Sequence, residues 1–346
     1  MKARMAKFVY AGLDWLKSGL YWVILPIFMF GAVWCSGAFF RAFDAAPVIA
    51  GLAVLTLWLL ILLSVFLRRS ILAAGLVELA ALAAFSCITP QQRFRDTKWQ
   101  ASWKKTPGVR KLADGRYELE NVRDFHYRSE DDYEIRYRTL TVDPTKISSI
   151  DAVFSHWDDL EVIAHSMLGL NFSDGTTLVF SLETRLPAGV EQNGIDGLYR
   201  RYGLAMIVGT PEDLYGLRAD HRGETLYVYR IDADRRYMQR TVCSLLERAE
   251  HLQRHPEFYN SLFRNCTTGL LPMLPEADGL KNGDIRVLLN GMADKMLFER
   301  NLLVRRENES FGSLRSRSLV PGICRGKKAP PTRYGGESEA RWLRER

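Results

Sequence analysis

Three long apolar stretches open the chain, and a region in which apolar and polar residues alternate follows them. Residues 19–40 and 45–67 contain no charged residue, and residues 70–88 contain only Glu78. Because about 20 apolar residues are enough to cross the hydrocarbon core of a bilayer, each stretch predicts one transmembrane helix. The pattern therefore predicts three transmembrane helices within residues 19–88.

Basic residues set the expected orientation of these helices. Residues 1–18 carry four lysines or arginines, and Arg68 and Arg69 separate the second apolar stretch from the third. The positive-inside rule assigns both segments, including the N-terminus 1–18, to the cytoplasm. An odd number of spans then exports every residue after 88. In a bacterium, this predicts a multi-pass inner-membrane protein whose C-terminal domain lies in the periplasm.

Residues 89–304 are long enough for one exported domain with a substantial core. Period-two patterns with β-branched and aromatic residues predict strands at 117–122, 133–142, 152–154, 162–172, 177–185, 204–208 and 225–231. An apolar stripe predicts a helix over 237–252, and a shorter helix should begin near Asn265. We expect an α+β domain in which helices pack on an antiparallel sheet.

The last 42 residues differ from the rest of the chain in charge. Residues 305–346 contain 11 basic and 5 acidic residues, and they account for most of the net charge of +7. Their Gly, Pro, Ser and Arg content predicts a disordered basic tail. The compartment excludes nucleic acid, so anionic lipid headgroups or cell-wall polymer are the expected partners, unless the tail is only solvated.

A hairpin is predicted to place a histidine opposite a carboxylate. Turn residues at 173–175 join two strands whose apolar residues share one face only if Leu170 pairs with Leu178. This register leaves a three-residue loop that ends in glycine, as such hairpins prefer. Counting along the same ladder brings His165 opposite Glu183. An ordinary cross-strand pair on a solvated face would have the same pattern.

Cys266 follows Asn265 at the predicted start of a helix, where the helix dipole and unpaired N–H groups favour a thiolate. His165 could take the thiol proton, and Glu183 could orient the imidazole. The alternative is a cysteine that only fills the core. Of the other cysteines outside the apolar stretches, Cys243 fits a helix core and Cys324 lies in the tail. An odd number leaves at least one thiol unpaired.

The remaining histidines show no spacing typical of a metal site, and no glycine-rich loop joins a strand to a helix as phosphate-binding loops do. The sequence therefore predicts neither a metal nor a cofactor.

Four blocks together resemble one known family, the Lnb N-terminal periplasmic domain, which is named for a bacterial lipoprotein N-acyltransferase. The blocks are residues 121–127, residues 165–172 with Asp174-Gly175, residues 181–185, and residues 256–260 leading to Asn265-Cys266-Thr267-Thr268. The resemblance spans about residues 95–300. It implies a papain-like, permuted NlpC-type cysteine fold, with the histidine strand first and the cysteine helix last.

The resemblance also implies roles for individual residues. Cys266 would be the nucleophile, His165 its base and Glu183 an orienting acid. Arg185 would give structural support or contact a lipid headgroup. The pocket around the cysteine would be formed by Tyr259, Asn260 and Asn265.

We therefore expect a membrane-anchored, cysteine-dependent acyltransferase that forms a thioester, with phospholipid or lipoprotein as substrate. With water as the acceptor, the same chemistry gives a lipid hydrolase. One alternative is a cysteine amidase or peptidase of cell-wall peptide, because the same residues cleave amides. A non-catalytic, membrane-tethered binding module is another. A lipid pocket should be largely apolar, and a peptide groove more open and polar.

Overall fold

The computed structural model describes residues 30–38, 40, 47–68, 79–81, 83, 94, 97–157, 161–274 and 284–320. The chain divides into two compact units. The first comprises Met1–Asp96 with Tyr199–Arg201, and the second comprises Thr97–Leu198 with Tyr202–Arg346.

In the first unit, residues 30–38 are helical and helix α1 spans Pro47–Arg68. Trp58 Nε1 donates a hydrogen bond to Ser36 Oγ at 2.9 Å. Among the described residues, no helix combines the length and hydropathy needed to cross a bilayer. Much of the predicted first span and nearly all of the third, with Glu78, lie outside the described residues, so the three transmembrane helices remain a prediction.

The second unit is built on one large sheet. Its strands are β1 (Gly108–Lys111), β2 (Tyr117–Arg123), β5 (Tyr137–Val142), β6 (Ile147–His156), β7 (Ala164–Phe172), β8 (Thr177–Arg185), β9 (Gly203–Gly209), β10 (Thr225–Arg230) and β11 (Glu257–Phe258), and a separate hairpin contains β3 (His126–Tyr127) and β4 (Tyr133–Glu134). The order is β1-β2-β9-β8-β7-β6-β10, with β5 beside β2 and β11 beside β9. Every pairing is antiparallel except the short parallel contact of β2 with β9.

Helices cover both faces of this sheet. They are α2 (Pro211–Gly216), which continues into a π-helical turn at Leu217–His221, α3 (Arg235–Arg254), α4 (Cys266–Leu270), α5 (Ala293–Glu299) and α6 (Phe311–Ser318). The predicted α+β class with a largely antiparallel sheet is therefore confirmed.

One face of the sheet carries the main apolar core, and we call it the α3 face. Alternate side chains of β7 and β8 pack there against Val242, Leu245 and Leu246 of α3. The partners on the strands are Leu168, Leu170, Phe172, Leu178, Phe180 and Leu182. Asp234 caps α3, accepting a hydrogen bond from the N–H of Tyr237. The apolar stripe that predicted this helix thus faces the sheet.

The other side chains of β7 and β8 point to the opposite face, which we call the α2 face. Met167 and Val179 pack there against Leu214 and Tyr215 of α2. Because strand side chains alternate, each residue of β7 faces either α3 or α2.

The hairpin between β7 and β8 has the register that its sequence predicted. Leu170 pairs with Leu178, and the N–H of Phe172 donates to the carbonyl of Thr176 at 2.9 Å. Gly175 closes the loop with φ of +89°, a conformation that suits glycine. A three-residue loop therefore fixes which side chains of the two strands meet.

The predicted disordered tail needs correction at its beginning. Helix α6 lies within it, Leu314 and Val320 are buried, and the N–H of Val320 donates to the carbonyl of Leu226 on β10 at 2.8 Å. These apolar residues anchor the segment, although its average composition is polar and basic. Residues 321–346, which include Cys324, lie outside the described residues.

Candidate active site

The β7–β8 hairpin brings His165 and Glu183 together on the α2 face. His165 Nε2 lies 2.7 Å from Ser181 Oγ and 3.8 Å from Glu183 Oε1. Ser181 Oγ also donates a hydrogen bond to Glu183 Oε1 at 3.0 Å. The hydroxyl of Ser181 therefore links the imidazole to the carboxylate.

Glu183 is a buried carboxylate with several donors. Arg218 Nη2 donates to its Oε1 at 2.9 Å, and Trp103 Nε1 donates to its Oε2 at 3.0 Å. Burial alone would raise the pKa of Glu183, but Arg218, with His165 and Arg123, holds this pKa well below its usual range. The carboxylate is therefore ionised at neutral pH.

His165 is neutral under the same conditions. Burial, reinforced by the positive charge of Arg218, lowers the pKa of His165 to about 3, and Glu183 opposes the shift only in part. A neutral imidazole can accept a proton, but at this pKa it is a weak base.

Cys266 is the first residue of α4, as the sequence predicted. Asn265 Oδ1 accepts hydrogen bonds from the N–H groups of Thr267 and Thr268, and Thr268 Oγ1 accepts one from the N–H of Asn265. This reciprocal capping fixes the start of the helix. The side chain of Asn265 therefore serves the helix terminus.

The thiol is enclosed by neutral polar groups. Cys266 Sγ lies 3.9 Å from the carbonyl oxygen of Ala164 and 3.3 Å from Asn290 Nδ2, and the residue is only 7% exposed. Burial raises the pKa of this thiol, and the backbone N–H of Ser166 and the hydroxyl of Thr267 offset the shift only in part. The sequence argument for a resting thiolate therefore needs correction, because α4 is short and burial dominates.

The sulfur and the imidazole do not bond to each other in this structure. Ala164 and Ser166, which contact or influence the thiol, flank His165 on β7. Ser166 Oγ lies 2.7 Å from Thr267 Oγ1 on the α3 face, so His165 points to the α2 face. The fold places Cys266 beside the backbone at His165 while the ring is held by Ser181.

The other predicted site residues have different surroundings. Burial, and then the interaction with Cys266, raises the pKa of Tyr259. Asn260 shapes a tight turn, in which its Oδ1 accepts hydrogen bonds from the N–H groups of Leu262 and Phe263.

Arg185 supports the scaffold. Its Nε donates to the carbonyl of Trp103 at 2.9 Å and its guanidinium stacks on the ring of Trp99 at 4.4 Å. Burial lowers the pKa of Arg185 to about 10. Of the two predicted roles, these contacts favour structural support over headgroup binding.

Part of the sequence is similar to a known protein family. Residues 133–291 match the family of the Lnb N-terminal periplasmic domain, and this range contains Cys266, His165 and Glu183. This segment is therefore similar to that family. The predicted resemblance is confirmed, and a periplasmic type of domain is thereby shown. No curated protein and no solved structure matches the chain.

Asn290 is a residue of the Lnb-type domain that the sequence argument missed. Asn290 is 4% exposed, and its Oδ1 accepts a hydrogen bond from the N–H of Ala164 at 2.9 Å. Its Nδ2 donates a hydrogen bond to Thr267 Oγ1 at 3.0 Å and also contacts Cys266 Sγ. A Cβ on the following Gly291 would meet the carbonyl oxygen of Glu161 at 2.2 Å. This close approach of two backbone segments brings Asn290 to the thiol, and no local sequence pattern predicts the approach.

A cavity of about 330 Å³ opens beside α4. Its wall is mainly apolar and includes Ala152, Phe154, Leu168, Leu270, Ala293 and Met296. Ser166 and Thr267 line it next to Cys266, and Asp232, Tyr237 and Arg300 also contribute to the wall.

Among the described residues, no group of three or more histidine, cysteine or acidic side chains is arranged to hold a metal ion.

Proposed function

We propose that the protein is a cysteine-dependent acyltransferase or lipid hydrolase of the periplasmic face, with Cys266 as the nucleophile. One observation carries the proposal: the thiol has a fixed N–H donor, Asn290 Nδ2, at 3.3 Å and lies against the strand that bears a neutral histidine. The match of residues 133–291 to the family of the Lnb N-terminal periplasmic domain supports a periplasmic substrate.

The first half-reaction transfers an acyl group to the sulfur. His165 takes the proton of Cys266, and the thiolate attacks the ester carbonyl carbon of a phospholipid. The carbon–oxygen bond then breaks, the alcohol leaves with the proton from His165, and a thioester forms on Cys266.

The second half-reaction releases the acyl group. An incoming amine, such as the N-terminus of a lipoprotein, attacks the thioester carbon and gives its proton to His165 as the carbon–sulfur bond breaks. The proton then returns to the sulfur. The product is an amide with an amine acceptor and a free acid with water.

The proposed proton transfer requires a local rearrangement of β7, because the ring of His165 is bonded to Ser181 on the α2 face rather than to the sulfur. On β7, His165 lies between Ala164, whose carbonyl oxygen is 3.9 Å from the sulfur, and Ser166, whose backbone N–H lowers the pKa of the thiol. The charge of Glu183 raises the proton affinity of the imidazole and so stabilises the imidazolium form during turnover.

Acyl labelling tests the proposal. The full-length protein in nanodiscs is incubated with a phospholipid that carries an alkyne on its acyl chain, and we expect a label that hydroxylamine removes. Cys266→Ser should abolish the label. Cys243→Ser is the matched control, because Cys243 is a free, partly buried cysteine on α3, and it should keep the label. Label that survives Cys266→Ser, or none on folded and reduced wild type, contradicts the proposal.

A further inference from the structure

The cavity beside α4 has the lining expected for a hydrocarbon ligand. Most of its wall is aliphatic or aromatic, and its volume of about 330 Å³ lies within the range of small-molecule sites. We infer that this cavity binds one linear acyl chain of the donor lipid, and that α5 sets the chain length it accepts. The inference rests on the proposed function and assigns the substrate site that this function needs.

Three polar side chains of the wall, Ser166, Thr267 and Arg300, already have protein partners. The hydroxyls of Ser166 and Thr267 bond to each other at 2.7 Å, and Arg300 Nη2 bonds to Asp284 at 3.0 Å. A peptide in this cavity would bring an N–H and a carbonyl with each residue, and each would need a new partner. A hydrocarbon chain needs none, so the lining favours an acyl chain over a peptide.

The cavity also lies where the acyl carbonyl requires it. Thr267, which lines the cavity, follows the nucleophile directly, and its Oγ1 lies 3.9 Å from Cys266 Sγ. With the carbonyl carbon at the sulfur, the chain extends past Thr267 into the apolar space.

Helix α5 provides the wall that can limit the chain. Ala293 and Met296 are buried and line the cavity, whereas Lys295 on the same helix is exposed. A larger side chain at 293 would fill space that the chain occupies, and a smaller one at 296 would add space.

Photocrosslinking tests the site without requiring turnover. Full-length Cys266→Ser protein is placed in nanodiscs with a phosphatidylethanolamine whose acyl chain carries a diazirine and an alkyne. We expect adducts on the peptide that contains α5. Ala293→Phe should reduce these adducts by about tenfold, because the filled cavity leaves no room for the chain. Lys295→Phe, the matched control, should leave them unchanged.

A second variant guards against misfolding of Ala293→Phe. In the otherwise wild-type protein, Met296→Ala should shift thioester labelling toward longer chains in a series of saturated acyl donors. Adducts that map away from α5, or that Ala293→Phe leaves unchanged in a folded protein, overturn the assignment, as does an unshifted chain-length profile. Because crosslinking does not use Cys266, adducts on α5 without any thioester label would refute the proposed function and leave the acyl site standing.

Discussion

Polar groups are buried on both sides of β7, but their partners are neutral on one side and charged on the other. Around Cys266, on the side toward α3, the groups that contact the sulfur are a backbone carbonyl, a hydroxyl and an amide, all neutral. Around His165, on the α2 face, the neighbours include the ionised Glu183 and Arg218. Buried charges need close partners, so the polar groups on the α2 face are paired with one another, whereas the neutral side can leave room for a ligand.

Arg123 and Asp213 extend the charged side. Arg123 Nη2 lies 2.6 Å from Asp213 Oδ1, and neither side chain is more than 3% exposed. Asp213 Oδ2 also accepts from the N–H of Phe125 at 2.8 Å. The proposed chemistry thus takes its base from the charged side of β7 and its nucleophile from the neutral side.

The largest expected effect tests whether the two sides cooperate. His165→Ala should lower thioester labelling by roughly 10²–10⁴-fold, because the thiol then has no base and burial keeps it protonated. The measurement is the rate of label formation in nanodiscs, with His126→Ala as an exposed control. Labelling near the wild-type rate would mean that the α2 face plays no part in the chemistry.

The charged side should dominate stability. Asp213→Asn leaves Arg123 buried with no counter-ion at hydrogen-bond distance, which should cost about 3–5 kcal/mol. Thermal melting of the full-length protein should show a fall in Tm on the order of 10 °C. Asp132→Asn removes the partner of Arg128 in an exposed pair and should leave Tm unchanged within error. Equal shifts of Tm in the two variants would contradict the proposed difference between the charged and the neutral sides of β7.

Acid should weaken the charged side through His165. Its folded pKa of about 3 lies below its unfolded value of 6.5, so between these values the unfolded state binds more protons. Stability should therefore fall as the pH drops from about 6.5 toward 3. When the pH falls from 7 to 5, the free energy of unfolding of His165→Gln should decrease by about 2 kcal/mol less than that of wild type, as measured in melting experiments. Parallel pH profiles for the two proteins would show that His165 is not buried in its neutral form.

The neutral side should show a smaller, chemical effect. Asn290→Ala removes the N–H donor at 3.3 Å from Cys266 Sγ, so the pKa of the thiol should rise further. Alkylation of Cys266 by iodoacetamide, followed by mass spectrometry across a pH series, should slow by about tenfold. Asn171→Ala on β7, where the amide is bonded to Asp151 and Ser149, is the matched control. An unchanged pH profile would assign Asn290 to packing alone.

Local chemistry explains what the sequence could predict. The loop that ends in Gly175 and the apolar alternation fixed the register of β7 with β8, and with it the meeting of His165 and Glu183. Asn265 predicted the start of α4, because asparagine is a common helix cap and its side chain caps that helix. Each of these features depends on residues close in sequence or on one pair of strands.

Long-range contacts explain what it could not. Arg218 reaches Glu183 from a π-helical turn, and Asn290 reaches Cys266 through the contact of Gly291 with the backbone near Glu161. The side of β7 against which the thiol lies depends on where α4 packs relative to Ser166, which no pattern within β7 reveals. Tertiary packing sets all three.

The segment after α5 has a consequence for solubility. Leu319 bridges to Tyr227, and the N–H of Val320 bonds to Leu226, so this segment pairs with the outer strand β10 of the sheet. Open strand edges recruit other chains and start aggregation. A protein truncated after residue 304 should therefore aggregate, seen as thioflavin binding or precipitation. Under the same conditions, a protein truncated after residue 320 should stay in solution. A stretch whose average composition is that of a flexible tail would then act as a gatekeeper against self-association.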